Sequence, residues 1–439
     1  MCTPAQKGCI RARVDGIAAM NENRATREGV LTALHQAIEY WQRHGNTQPL
    51  TRWLSRELDP RGVPIRLPIP DWHLCVKTLL EITTLNNNWP SSWDDPITKL
   101  IQITFRFSRV DGTPVTHFDE STRSKARVGT SFDVLGGSTI ARIASDFASR
   151  YAKKPSGNRN EPSDTRSRSI RALAVLRPGW PDASDFLAID HRRADASCRV
   201  ELFAAGRSWL GPTWMVVGES GATSHSKRPS LMPDSSESLA EWSYSAGQAR
   251  ITHSAILLRE SKLALLSALI ERRSPGDSNI VLGLSLPSFV TATPIVDSRS
   301  IVLTTPKKPG SAQVLPIGLP SLSYPSDRGS FQVHDGSLAL SHSPTGRRTW
   351  LPLLVSWDSR RHRTDPRWRV LSVSEKSRNV PPDRAFAARV SWGRNETFVI
   401  YRSLASPAPR AFLGHQTSAR LLVARFTLDG VVEPILKVD

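Results

Sequence analysis

The sequence predicts a multidomain α + β protein, in which a short α-helical N-terminal domain precedes a large antiparallel β-sandwich. Two observations predict this fold class. Before residue 151, apolar residues recur at spacings of three and four, which is typical of amphipathic helices. From residue 170 onward, short apolar runs are separated by Gly, Pro, Ser and Asp, and no helical pattern alternates with them, which favours antiparallel strands.

A stretch with almost no apolar residue, 152–169, separates the two patterns and is predicted to be a linker. It divides the chain into a helical domain at 28–151 and a sandwich domain at 170–439. A chain of 439 residues is long enough to form two such domains. Residues 1–27 show no sustained apolar periodicity and are predicted to be a disordered N-terminus.

The helical domain is predicted from five amphipathic stretches. In the first, Val30, Leu34 and Ile38 lie on one face, and Gly45 is expected to end the helix. The segment Pro60–Pro70 is expected to be extended, because proline restricts both itself and the residue before it. The predicted helices cover Glu28–His44, about Leu50–Leu58, Trp72–Leu85 after an N-cap at Asp71, a stretch after Asp94 or Asp95, and Ile140–Tyr151.

The sandwich is predicted from short apolar runs bounded by turn residues. Arg259–Ser261 is expected to join two of them as a hairpin, and Glu219–Ser238 reads as a loop. The candidate strands are Leu173–Leu176, Phe186–Asp190, Arg199–Phe203, Gly247–Leu258, Lys262–Glu271, Ile280–Leu286, Ser300–Thr304, Trp350–Trp357, Arg369–Val373, Phe386–Trp392, Thr397–Arg402, Ala419–Thr427 and Val431–Val438.

The charge balance favours a polyanionic partner. Lys and Arg number 58 against 40 Asp and Glu, giving a net charge of +18. Such a charge suits an acidic polysaccharide, a nucleic acid or another anionic surface. The alternative interpretation is that the net charge of +18 comes from arginines spread over a solvated surface, without a polyanionic partner. The 13 Trp residues add aromatic faces on which sugar rings stack, whereas no nucleic-acid-binding motif accompanies the basic clusters, so nucleic acid is the less favoured partner.

Several classes of site are not indicated by the sequence. The four cysteines form no C-x-x-C pair, so a structural zinc site is not predicted. Phosphate-binding, nucleophile-elbow and zinc-protease motifs are also missing from the sequence, and no cofactor is predicted. The first 20 residues carry charges without a continuous apolar run, so they do not read as a signal peptide, and no stretch reads as a membrane span.

One stretch carries a family resemblance. The sequence AVLRPGWPDASDFLAID, followed by HRRADA and VELFAAGRSWL, resembles the opening of the C-terminal β-sandwich of heparinase II/III-like polysaccharide lyases. The resemblance implies an α/α toroid before the sandwich, of which 28–151 would be a part. It also implies β-elimination on uronate-containing polysaccharides. The family acts outside the cytoplasm, so this chain is expected to be cytoplasmic if its start is genuine, and periplasmic or secreted if it is truncated.

The resemblance also implies the candidate catalytic residues. The family loop typically reads His-Gly-His-Ala-Asp, and here it reads His191-Arg-Arg-Ala-Asp195, so Arg193 stands where a second histidine, a metal ligand in some members, is expected. His191 is the candidate acid/base, since imidazole titrates near neutrality. Arg193 is the candidate partner of the uronate carboxylate. A loop histidine bonded to backbone is the competing interpretation.

Further side chains suit sugar binding through charge, amide groups or an aromatic face. For each, a structural alternative stays open: solvated arginines, loop caps, a loop anchored by tryptophan, a surface turn, or a histidine satisfied within a sheet. The candidate substrate-binding residues are Arg192, Asp195, Asn88, Trp89, His117, Asp119 and His253. The predicted function is recognition of acidic polysaccharide with weak or absent elimination. The alternatives are a non-catalytic polyanion-binding or assembly protein, and charge-driven nucleic-acid binding.

Overall fold

The protein is described here from a computed structural model. The described residues are 28–67, 69–85, 90–107, 115, 168–170, 173–176, 185–190, 197–217, 239–274, 279–306, 310–322, 329–343, 346–393, 396–427 and 430–439. The chain divides into two compact units, Met1–Arg159 and Asn160–Asp439. The predicted linker 152–169 ends in a short strand at Arg168–Ile170. The rest of it, the predicted N-terminal segment 1–27 and the predicted helix Ile140–Tyr151 lie outside the described residues.

The described part of the first unit is helical, and buried tryptophans hold its helices together. The rings of Trp41 and Trp93 meet edge to face with their centroids 5.1 Å apart. The Trp53 indole donates a hydrogen bond of 3.1 Å to the carbonyl oxygen of Val30, which satisfies its buried N–H. The helices are α1 (28–44), α2 (Gln48–Glu57), α3 (Ile69–Leu85) and α4 (Asp94–Arg106), with a short 3₁₀ helix at Ser91–Trp93.

The segment between α2 and α3 differs from the extended chain that the sequence predicted. It turns at Gly62, whose φ is +80°. A Cβ at Gly62 would lie 2.5 Å from the backbone carbonyl carbon of Lys99, so only glycine allows this approach. Helix α3 then begins at Ile69, before the predicted N-cap Asp71. Pro70 is tolerated there because the first turn of a helix leaves its N–H groups without intrahelical acceptors.

The described part of the second unit consists mainly of strands, with a short 3₁₀ helix at Arg361–Arg363, and every pairing between the strands is antiparallel. In chain order the strands β1 to β25 are Arg168–Ile170, Leu173–Leu176, Phe186–Asp190, Ser197–Ala204, Arg207–Leu210, Thr213–Val217, Leu239–Ala246, Ala249–Leu258, Leu263–Arg272, Ile280–Ser285, Thr291–Pro294, Ile301–Thr304, Ser311–Leu315, Gly329–His334, Ser337–His342, Arg348–Ser356, Pro366–Val370, Ser374–Glu375, Arg378–Asn379, Ala385–Trp392, Glu396–Ser403, Arg410–Phe412, His415–Thr417, Leu421–Phe426 and Val432–Val438.

Two large sheets form the predicted sandwich. The nine-stranded sheet has the order β1-β2-β3-β4-β6-β10-β15-β14, with β5 paired to β4. The seven-stranded sheet has the order β11-β12-β13-β16-β9-β8-β7. One apolar core lies between them, with Leu202 and Trp214 from the first sheet and Leu266 and Leu353 from the second. The predicted fold class, helices followed by an antiparallel sandwich, is therefore confirmed.

Two smaller sheets extend the sandwich beyond the two layers that the sequence predicted. The five-stranded sheet, β17-β20-β21-β24-β25, packs on the outer face of the seven-stranded sheet. The four-stranded sheet, β19-β18-β22-β23, packs on the far side of the five-stranded one. Strand β9 shows why a third layer is needed, since Leu266 faces one core and Leu265 faces the other. Both faces of that strand are apolar, so both must be covered.

Several strands differ from the sequence prediction. The stretch 173–217 forms five strands rather than three, because β5 and β6 follow the turn at Ala205–Gly206 and the break at Gly211–Pro212. Strand β7 was also missed, although Trp242 and Tyr244 alternate with polar residues as in a strand with one buried face. Among the described helices, none combines the length and the apolar composition needed to cross a bilayer.

Candidate functional site

The loop that carries the predicted catalytic residues is framed by β3 and β4. These two strands pair directly, with Asp190 opposite Arg199 next to the loop. On its other side β4 pairs with β6, where Cys198 lies opposite Trp214. The end of β4 that borders the loop is therefore next to Trp214 in the sheet. The loop itself lies outside the described residues, and so do the four candidates in the first unit. The roles of these eight residues therefore stay predictions: His191, Arg192, Arg193, Asp195, Asn88, Trp89, His117 and Asp119.

His253 is the predicted site residue that the structure describes. It lies on β8 directly opposite Trp242 of β7, and the two rings stack with their centroids 5.2 Å apart. The edge of Trp214 meets the imidazole at 4.5 Å between centroids, and the Tyr244 hydroxyl lies 3.3 Å from its Nε2 atom. We call these four residues the histidine cluster. The cluster joins the nine-stranded sheet to the seven-stranded sheet inside the sandwich core.

The burial of His253 bears on its predicted contact with a sugar. Its exposed fraction is 0%, and the three aromatic rings of the histidine cluster surround it. This arrangement corresponds to the histidine satisfied within a sheet that the sequence analysis kept open. A direct contact with substrate would require the imidazole to be uncovered, so that role stays a prediction. Tyr244, a phenol beside the imidazole, was missed by sequence reasoning, although its alternation with Trp242 on one strand face could have marked it.

A second polar arrangement lies on the opposite face of β7 and β8. Glu241 is 5% exposed and accepts hydrogen bonds from Nη1 of Arg402 at 2.7 Å and from the hydroxyl of Ser254 at 2.6 Å. Arg420 forms a further ion pair with the same carboxylate. Burial alone would raise the pKa of Glu241, but the two guanidinium groups and the Ser254 hydroxyl outweigh it and hold that pKa below its ordinary value.

A pocket of about 190 Å³ opens beside this Glu241 carboxylate. Its floor includes the hydroxyl groups of Ser243 and Thr252, whose oxygens are 2.8 Å apart. Arg402 and Arg420 line it from the five-stranded sheet and the turn that precedes β24. Sequence reasoning missed this pocket because its charged residues are far apart in the chain, with 161 and 179 positions separating Glu241 from its two arginines.

Metal binding was considered from the residues that the structure describes. Within these ranges, no three His, Cys, Asp or Glu side chains come together as metal ligands would. The described cysteines, Cys75 and Cys198, are both buried and unbridged. The loop His191–Asp195 lies outside these ranges, so the prediction that it holds no metal is not tested by the structure.

The fold consists of helices followed by a large antiparallel β-sandwich, and it is similar to the fold of a solved enzyme. A heparan sulfate lyase, the HepC mutant from Pedobacter heparinus, matches with a TM-score of 0.53 and 14% identity, covering 82% of this chain. The chain spans 62% of the length of that lyase. At this identity the likeness shows the fold alone.

A family 81 glycoside hydrolase from Clostridium thermocellum also matches, with a TM-score of 0.27, 12% identity, and coverage of 56% of this chain and 33% of the hydrolase. A TM-score this low carries no argument. No family model matches the chain. No curated protein matches it either.

Proposed function

We propose that this protein is heparinase II/III-like and recognises an acidic, uronate-containing polysaccharide, with weak or absent β-elimination. The observation that carries the proposal is the likeness of its fold to that of a heparan sulfate lyase over 82% of the chain. Two features support it independently. The loop His191–Asp195 resembles the corresponding loop of such lyases, and the net charge of +18 suits a polyanion.

The proposed chemistry follows from the residue types in the loop. The neutral imidazole of His191 would take the C5 proton of a uronate, the C–H electron pair would form the C4–C5 double bond, and the leaving oxygen would depart with the C4–O electrons and then be protonated. Arg193 would stabilise the negative charge that develops on the carboxylate. A guanidinium has no lone pair for a metal, so the loop does not fit the metal site of some lyases, and no step here uses one.

The first test concerns the partner. We expect binding to heparin and to unsulfated polyglucuronate, and no binding to neutral glucans, which carry no charge that the basic surface could attract. Binding to the two polyanions should weaken as salt is added, because salt screens the charges. Isothermal titration at two ionic strengths measures this. A DNA duplex of matched charge is the control. Equal or tighter binding to that duplex would favour the nucleic-acid alternative instead.

The second test concerns elimination. We expect little or no unsaturated uronate product, measured by its ultraviolet absorbance, because the loop lacks the second histidine of a preorganised site. Chelator should have no effect, and His191→Ala should remove any residual activity. His334→Ala is the matched control, since His334 is the last residue of β14 and its side chain is 79% exposed. Strong activity that a chelator abolishes would contradict the metal-free mechanism, and binding without activity would favour the non-catalytic alternative.

A further inference from the structure

Three arginines lie together on the outer face of the five-stranded sheet. Arg367 and Arg369 are exposed on β17, and Arg389 is half-buried on β20. The register places Arg369 directly opposite Arg389 and Arg367 opposite Ser391. Residues that are directly paired, or two apart along one strand, point to the same side of a sheet. We call this set the arginine face.

The charges of the arginine face are uncompensated within the described part of the chain. None of its three guanidinium groups lies within ion-pair distance of a carboxylate there. The next residues in the row of Arg389 are apolar: Val399 on β21 and Ala424 on β24 are buried where the four-stranded sheet packs, so the exposed part of this face is limited to β17 and β20. Two like charges directly opposite in a sheet are destabilising. The pairing of Arg369 with Arg389 therefore costs stability, and no carboxylate in the described part of the chain offsets it.

Other arginines of the same unit show a different pattern. Arg361 is 2% exposed and pairs with Glu396 at 2.5 Å, and Arg410 is 0% exposed and pairs with Glu375 at 2.9 Å. In both cases a buried arginine has a carboxylate partner. The arginine face has cations at the surface without acids, which is the arrangement that an external anion would complete.

Arg389 is also held in place. Its guanidinium lies 5.2 Å from the ring centroid of Phe426, which is two strands away on β24. A guanidinium stacked on an aromatic face keeps its planar edge of N–H donors available for an oxyanion. The half-buried Ser391 of β20 adds a hydroxyl group, whose oxygen lies 2.9 Å from that of the buried Thr397 on β21. The arginine face is thus a partly rigid surface with charge, a hydroxyl group and an aromatic ring.

A structural explanation exists for part of this set. Strand β17 is the edge of its sheet, and edge strands carry charged residues that prevent pairing with other chains. That explanation covers Arg367 and Arg369. It does not cover Arg389, because β20 is an interior strand with a partner on each side.

We propose that the arginine face binds the anionic groups of a uronate-containing polysaccharide, outside the loop His191–Asp195. The strands that carry the arginine face pair with neither β3 nor β4, which frame that loop. Adjacent strands are about 4.8 Å apart and alternate residues of one strand are about 7 Å apart, so the three guanidinium groups on β17 and β20 can reach neighbouring anionic groups of one polysaccharide chain. This inference rests on the proposed function for the class of partner, and adds a surface at which a longer chain is held.

The test is a triple variant of the full chain, Arg367→Gln, Arg369→Gln and Arg389→Gln. The matched control removes three exposed arginines elsewhere, by Arg52→Gln, Arg61→Gln and Arg273→Gln. Titration with a heparin oligosaccharide and with polyglucuronate should show about tenfold weaker binding for the first variant, or about 1.4 kcal/mol, and a shallower salt dependence. The control should change affinity by less than about twofold, which is within the effect of net charge at moderate salt.

Two further measurements make the result decisive. Thermal unfolding should show the triple variant about as stable as the wild type, because it breaks no ion pair, and the repulsion that it removes offsets the lost contact of Arg389 with the Phe426 ring. Arg389→Lys keeps the charge but loses the planar set of N–H donors of the guanidinium. We expect it to weaken polysaccharide binding by about threefold, so that its affinity lies between those of the wild type and the triple variant.

Four outcomes would overturn the inference. The first is equal loss of binding in the triple variant and in its control. The second is unchanged binding with new self-association on a sizing column, which would assign the arginines to edge protection. The third is a larger loss for duplex DNA than for polysaccharide. The fourth is unchanged binding alone, in which case the proposed function stands. A wild-type protein that binds no acidic polysaccharide would overturn the proposed function as well.

Discussion

Glu241→Gln is expected to lower the free energy of unfolding by about 3–5 kcal/mol, the usual cost of removing one partner of a buried ion pair. The expected cost is large because both partners of this ion pair are buried. Glu241 is 5% exposed and Arg402 is 3% exposed, so the variant leaves a buried guanidinium without its counter-charge. Chemical denaturation at neutral pH measures the change.

Glu271→Gln is the matched control. Glu271 pairs with Arg348 at 2.9 Å, but its side chain is 31% exposed and that of Arg348 is 37% exposed. We expect a loss of about 0–1 kcal/mol, because water screens exposed pairs. Equal losses for the two variants would contradict the view that burial sets the cost.

The Glu241 carboxylate also makes the stability of the folded protein depend on pH, and its lowered pKa means that stability falls at acidic pH. The pKa of Glu241 is lowered from its ordinary value of 4.5 by its arginine neighbours, against the effect of burial. Its contribution to stability is therefore complete above about pH 4.5 and is lost as the pH falls towards the lower, folded-state pKa. This part of the acid sensitivity should be missing from Glu241→Gln.

Trp214→Ala is expected to cost about 3–5 kcal/mol of unfolding free energy, because it opens a large cavity at the centre of the histidine cluster. Trp214 is fully buried, with the Trp242 ring centroid at 5.3 Å and the His253 centroid at 4.5 Å. Denaturant unfolding followed by circular dichroism measures the loss.

Trp214→Phe separates ring volume from hydrogen bonding. The Trp214 indole N–H has no hydrogen-bond partner among the described residues, so the phenyl ring should recover much of the loss. Trp209→Phe is the control, because the Trp209 N–H donates to the carbonyl oxygen of Ala204 at 3.1 Å. We expect it to cost about 1 kcal/mol more than Trp214→Phe. If Trp214→Phe is as costly as Trp214→Ala, the N–H rather than the ring volume holds the cluster together.

Local patterns predicted much of the fold. The helix at 28–44 and strands such as Phe186–Asp190 follow from spacing that depends only on neighbouring residues. The third and fourth layers did not follow, because they depend on long-range packing. Leu265 and Leu266 both read as core, and only the structure shows that they face different cores. Short strands such as Ser374–Glu375 carry too few residues for a pattern.

The candidate site was less accessible to sequence reasoning than the fold. His253 could be singled out as a residue type, but its burial depends on Trp214, which arrives from a different sheet. The Glu241 pocket joins residues more than 160 positions apart, and no local signal connects them. From the sequence, the residues of the arginine face could not be told apart from other arginines of the chain. The strand register shows that Arg369 and Arg389 are directly paired.

The seven-stranded sheet is covered on both sides, so the last sixth of the chain is part of the scaffold rather than an appendage. Residues 366–439 form the five-stranded and four-stranded sheets, and they shield Leu239, Ile256 and Leu265 from water. A fragment that ends before Pro366 would expose this apolar surface, and such surfaces drive aggregation. Any shortened version of the protein intended for crystallisation or binding assays therefore has to keep its C-terminal sheets.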